Sequence, residues 1–182
     1  MGPAIRDPSP EVDLDILRKG MPMLTKAMGK RYATAAVFCL ERTGHVSGVT
    51  LITQGDFNIP YRVQWSKIDA QIERDDNATE WAAAGLAIMV VRAQTGKVVQ
   101  NQAMSEDGTI EYWLGEPNDD EPFGFQSMIR LRVSGVWRAD DSDIASEALT
   151  KLTAMRDPEH RKLRAYVVIV EFGRPTARVV SQ

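Results

Sequence analysis

The 182-residue sequence has one cysteine and two histidines. A single cysteine excludes an intrachain disulfide, so no disulfide framework holds this chain. Cys39 lies in the apolar run Ala35-Ala36-Val37-Phe38-Cys39-Leu40. It reads as a core thiol, because free cysteine packs as a small hydrophobe. His45 and His160 stand far apart and fall in no metal-ligand spacing. His160 sits among the polar residues Pro158–Lys162 and reads as surface. No apolar stretch approaches the roughly 20 residues that span a bilayer. The first residues, Met1–Asp7, lack an apolar signal core. No membrane contact and a cytoplasmic location are therefore expected. No glycine-rich phosphate loop is present, since Thr95-Gly96-Lys97 has no upstream glycine. No serine sits in a nucleophile elbow. The net charge of −3 supplies no general attraction to phosphate backbones or anionic lipid.

What the chain does have is ordinary globular composition: 43% hydrophobic and 26% charged residues. That length and balance suit one α+β domain with a full core. Residues 1–10 carry three prolines without periodicity and read as a flexible tail. Residues 11–182 read as a single domain, with a helical and hairpin extension over 11–76 and an αβββαβ core over 77–182. In the extension, Val12–Leu17 suggests a short helix. Met23, Leu24, Ala27 and Met28 then start a helical pattern that continues to Leu40, with Gly44 as its stop. Val46–Gln54 and Phe57–Trp65 read as a hairpin across Gly55-Asp56. Pro60 marks the second strand as an edge or bulged strand.

The core opens at Asn77, a good N-cap, with Glu80 three residues on in the capping-box position. The helix that follows is apolar on most faces and should be buried. Strands are expected over Val98–Met104, Thr109–Leu114 and Gln126–Val136, with an Asp107-Gly108 turn between the first two. A helix carrying Ile144, Ala148, Leu149 and Leu152 comes next. A buried strand, Ala165–Phe172, follows it, and Ala177–Val180 reads as a short edge strand. The expected architecture is a three-stranded sheet with a helix before it and a helix after it.

Period-two alternation places Glu111 and Trp113 on one face of the second core strand, opposite Ile110, Tyr112 and Leu114. On the third strand Met128, Arg130, Arg132 and Ser134 share a face. If the two polar faces coincide, Glu111 meets a pair of guanidinium groups, and Glu80 joins from the helix end. This order and these positions resemble the restriction-endonuclease-like nucleases, the PD-(D/E)xK group, over about residues 77–172. The resemblance implies that Glu80 and Glu111 match two of that family's metal-holding acids, which bind a divalent ion that activates water for phosphodiester hydrolysis. The third acid has no match, because arginine stands there whether the motif is laid on Arg130-Leu131-Arg132 or on Arg132-Val133-Ser134. The chain is also similar to a group of bacterial proteins without assigned activity. They share a Thr79-Glu80 helix start, a Tyr112-Trp113-Leu114 strand and an Arg132-Val133-Ser134-Gly135 strand.

Simpler readings stand beside these. Glu80 also reads as a capping partner only, and Glu111 with Arg130 and Arg132 as a structural ion-pair cluster. Arg161, Lys162 and Arg164, with Arg130, are candidate phosphate contacts, diluted by Asp157 and Glu159. The acidic loop Glu116–Glu121 is a candidate docking or lid segment. Two functions follow. The first is a non-catalytic interaction protein on a degenerate nuclease-like scaffold, needing no cofactor. It would bind a protein partner or itself through a sheet edge or through a methionine-rich helix bearing Met21, Met23 and Met28. The second is a nuclease with a rearranged site of Glu80, Glu111 and Glu171, loaded with Mg2+ or Mn2+. Arg132 occupies the degenerate position in both.

Overall fold

The computed structural model describes residues 9–67, 77–104, 109–117, 127–156 and 163–182. In chain order the elements are β1 (Glu11–Asp13), α1 (Asp15–Lys19), α2 (Lys26–Arg42), β2 (Val49–Gly55), β3 (Pro60–Gln64), α3 (Ala78–Thr95), β4 (Val98–Met104), β5 (Ile110–Gly115), β6 (Ile129–Val136), α4 (Asp141–Ala154), β7 (Arg164–Glu171) and β8 (Thr176–Ser181). The strands form one eight-stranded mixed sheet in the order β1-β3-β2-β8-β7-β6-β5-β4.

The three-stranded expectation is therefore too small. The hairpin β2–β3 is part of the same sheet, because β8 pairs antiparallel with β7 on one side and parallel with β2 on the other. Strand β8 is thus central, where the sequence pattern suggested an edge. The segment around Val12 is also different from expectation. Glu11–Asp13 runs parallel to β3, and the Arg62 amide donates to the Pro10 carbonyl. The helix begins only at Asp15, whose amide is capped by Asp13 Oδ1 at 2.9 Å. Pro60 is the first residue of β3, two positions before β1 begins to pair. Its missing N–H therefore costs no ladder bond on that side, although β3 as a whole is flanked by two strands.

Helix α3 shows why its sequence is apolar all round. Every residue from Ala82 to Val91 is buried. The helix lies between α2 and the sheet and contacts both. It ends at Gly96, whose φ of 76° is the left-handed cap geometry that glycine tolerates. Helix α2 starts at Lys26, with Thr25 Oγ1 accepting from the Met28 amide at 3.2 Å. Met21 and Met23 precede that helix, so only Met28 lies on it and no methionine-rich helical face exists there. Helix α4 covers the opposite face, burying Ile144, Ala148 and Leu152 against Ala165, Val167 and Ile169.

Cys39 is fully buried, with its sulfur 3.7 Å from the Ala78 carbonyl. Desolvation pushes the thiol up to about 12, against the weaker pull of Arg42. A thiol at neutral pH with no solvent path is a poor nucleophile. The native chain is therefore expected to resist an aromatic disulfide reagent and to release one equivalent of chromophore only in denaturant. Fast labelling of the folded chain would contradict this.

Candidate functional site

The register of β5 and β6 sets Glu111 directly across from Arg132, and Trp113 across from Arg130. The alternation read from the sequence therefore brings the three charged residues to one face. All three are buried: Glu111 is 5% exposed, Arg130 5% and Arg132 6%. Arg130 grips the carboxylate in a fork, with Nε to Oε1 at 2.7 Å and Nη2 to Oε2 at 3.1 Å. Arg132 Nε donates to the same Oε2 at 3.0 Å.

The remaining Arg130 contacts seal it in place. Its Nη1 donates to the Met155 carbonyl at 2.9 Å, and its guanidinium lies 5.6 Å from the centre of the Trp113 ring. Met155 is the C-cap of α4. Its carbonyl belongs to the electron-rich end of that helix, where an arginine is favoured. Arg130, a candidate for phosphate contact by sequence, thus has its guanidinium spent inside the protein. The cluster holds one carboxylate and two guanidiniums. Charge of the opposite sign lies near the surplus: Asp143 and Glu147 of α4 line a shallow depression together with Arg132.

Glu80 does not share these arginines. Strand β5 pairs with β6 only as far as the Glu111–Arg132 level. Past that point, Glu80 Oε1 reaches the β6 margin and accepts from Ser134 Oγ at 3.2 Å and from the Gly135 amide at 3.4 Å. That is two residues, about 6–7 Å of strand, beyond Arg132. The capping-box reading does not hold, since the Asn77 side chain makes no cap hydrogen bond and Glu80 is turned to the sheet. Glu80 is exposed as a residue, yet its carboxylate leans on the protein. Desolvation there raises its pKa, outweighing the hydrogen bonds from Gly135 and Ser134 and the attraction of Lys151.

Glu171 is farther still. It aligns with Val136, four residues along from the Arg132–Val167 level, or about 13 Å. Arg174 holds both its oxygens, at 3.2 and 3.0 Å, and also binds Asp141 at 3.1 Å. The rearranged triad of Glu80, Glu111 and Glu171 is therefore spread along the sheet. Among the described residues no three His, Cys, Asp or Glu side chains gather closely enough to hold a metal ion. Arg164 is exposed at the start of β7, with Nη1 3.5 Å from the Tyr166 hydroxyl. Arg161 and Lys162 lie outside the described residues, as does the acidic loop beyond Pro117.

Two further residues stand beside Glu80. Lys151 on α4 is near enough to attract its carboxylate. Tyr112, placed by alternation on the face opposite Glu111, is buried with its hydroxyl 2.9 Å from that of Tyr32. Helical periodicity of α4 carried no signal for Lys151, because its meeting with α3 is made across the sheet margin. The free edge of β4 is also blunted: a bulge falls between Val99 and Asn101, and the Gln102 amide donates to Asn101 Oδ1 at 2.8 Å. An amide satisfied within its own strand offers one fewer donor to an added strand. No helix among the described residues is long and apolar enough to cross a membrane. Comparison of the chain with protein families, with curated proteins and with solved structures finds no match.

Proposed function

We propose that this chain is a non-catalytic interaction protein on a nuclease-like αβββαβ scaffold whose metal seat is filled by arginine. The single observation that carries this reading is the state of Glu111. Both its oxygens are taken by guanidinium donors beneath the end of α4. A divalent cation needs several anionic oxygens converging on it. Here the nearest partners of the Glu111 carboxylate are themselves cations. The nuclease-like scaffold is supported by adjacency: β4, β5, β6 and β7 are neighbours in chain order, with α3 before them and α4 crossing between the parallel β6 and β7. Interaction with a protein partner or a second copy is supported by the outer face of β2, where Ile52 is 50% exposed across from Pro60.

Titration with Mg2+ or Mn2+, read by thermal melting, tests the reading. A bound metal would stabilise the native state by mass action. The expected result is no shift with either ion and no cleavage of single- or double-stranded nucleic acid. A saturable rise in melting temperature, together with metal-dependent cleavage, would instead establish the rearranged nuclease. Arg132→Glu is expected to restore an acid beside Glu111 and to create metal-dependent stabilisation that the parent chain lacks.

A further inference from the structure

We propose that the cleft between the start of α3 and the β4–β5 pair binds a small primary amine with an apolar body, its ammonium seated against Glu80. The cleft has a volume of about 380 Å³ and is walled by Trp81, Ala84, Ile110, Tyr112 and Val133, with Glu80 and Lys151 as its charged groups among the described residues. That volume is in the range of small-molecule sites, which pair apolar walls with a few placed polar groups.

The charge balance chooses the ligand. Lys151 is paired with Glu147 at 3.7 Å on its own helix. Glu80 receives only neutral donors, Ser134 Oγ and the Gly135 amide, and both go to Oε1. Its second oxygen has no partner among the described residues. Among the described residues, the unmatched charge of the cleft is thus negative. A divalent ion would find one carboxylate where it needs several, whereas an ammonium needs one. The rigidity of the wall suits a fixed ligand. Trp81 stacks on Tyr32 at 5.6 Å and 19°, and Tyr32 in turn meets Tyr112 edge-on at 6.2 Å. Desolvation against the cleft wall raises the pKa of Glu80, and the attraction of Lys151 does not offset it. The titratable groups that bear on it are Lys151, which attracts, and Glu147, which repels; its own charge in turn raises the Tyr112 phenol. A perturbed carboxylate in a cleft is a common mark of a site. The inference does not depend on the absence of catalysis at Glu111.

Calorimetry with 2-phenylethylamine, 2-phenylethanol and 3-phenylpropanoate tests it. The amine is expected to bind at least about tenfold more tightly than the alcohol, a difference of about 1.4 kcal/mol. The carboxylate is expected to be excluded. Glu80→Gln should weaken the amine by a similar factor, and Lys151→Gln should strengthen it several-fold by removing a repelling charge. Amine binding should fade as pH falls through the raised pKa of Glu80, because the neutral acid no longer holds an ammonium. Thermal melting of both variants reports whether the fold persists. If Glu80→Gln fails to fold, the opposite sign required of Lys151→Gln still decides the matter. Equal binding of alcohol and amine, unchanged affinity in folded Glu80→Gln, weaker binding in Lys151→Gln, or no saturable amine binding at millimolar concentration would each overturn the proposal.

Discussion

Replacing Glu111 with alanine is expected to cost about 3–5 kcal/mol of folding stability, read by urea unfolding. The loss comes less from missing attraction than from what remains. Arg130 and Arg132 are buried, and three of their N–H donors lie on this one carboxylate. Without it two like charges sit together at low dielectric, and among the described residues Arg130 keeps the Met155 carbonyl and the Trp113 ring as further partners. Total stabilities of single domains are about 5–15 kcal/mol, so this one change approaches the whole margin. A variant that removes all three charges, Glu111→Leu with Arg130→Met and Arg132→Leu, is expected to lie far closer to the parent. Buried ion clusters are often matched by packed apolar side chains. A Glu111→Ala loss below about 1 kcal/mol would mean that water reaches the cluster and screens it.

Gly135→Ala is expected to cost about 1–3 kcal/mol by overpacking, with a further loss at the Glu80 contact. Gly135 lies on β6 directly under the first turn of α3. A methyl group added there would collide with the Thr79 carbonyl oxygen and come within 3.0 Å of the Ala83 Cβ. The carbonyl is backbone and cannot rotate away, so the helix start must lift. Glu80, the next residue, would then leave Ser134 and the Gly135 amide. The double change Gly135→Ala with Ala83→Gly relieves only the side-chain contact and is expected to rescue little. Full recovery in the double variant would place the strain at Ala83 and not at Thr79.

The β5–β6 cluster was legible because strand alternation is a local rule. Glu111, Arg130 and Arg132 each declared a face, and antiparallel pairing of successive strands brought those faces together. Helix α3 was equally plain, since ten consecutive buried residues leave no polar face to misplace it. What was not legible depended on partners remote in sequence. Val12 looks helical among Leu14, Ile16 and Leu17, but the backbone of β3 claims Glu11–Asp13 for the sheet. Ala177–Val180 looks like a short edge strand; β2, from the far end of the chain, makes it central. Glu80 fits a capping pattern perfectly in spacing, yet Ser134 and Gly135 compete for the same carboxylate and win. The cleft beside it leaves no mark in the sequence for the same reason: its walls come from α3, β4, β5, β6 and α4, and no segment contains more than a fragment of it.

The placement of β8 also governs how the chain can assemble as it is made. Residues 49–64 and 98–171 emerge from the ribosome with no hydrogen-bonded seam between them, and each group holds a raw strand flank, β2 in one and β7 in the other. Residues 176–181 supply the missing stave last. Until they arrive, the two groups are held together only through the helix layer of α2 and α3, with both strand flanks unpaired, and cellular holdases would find the nascent protein most vulnerable then.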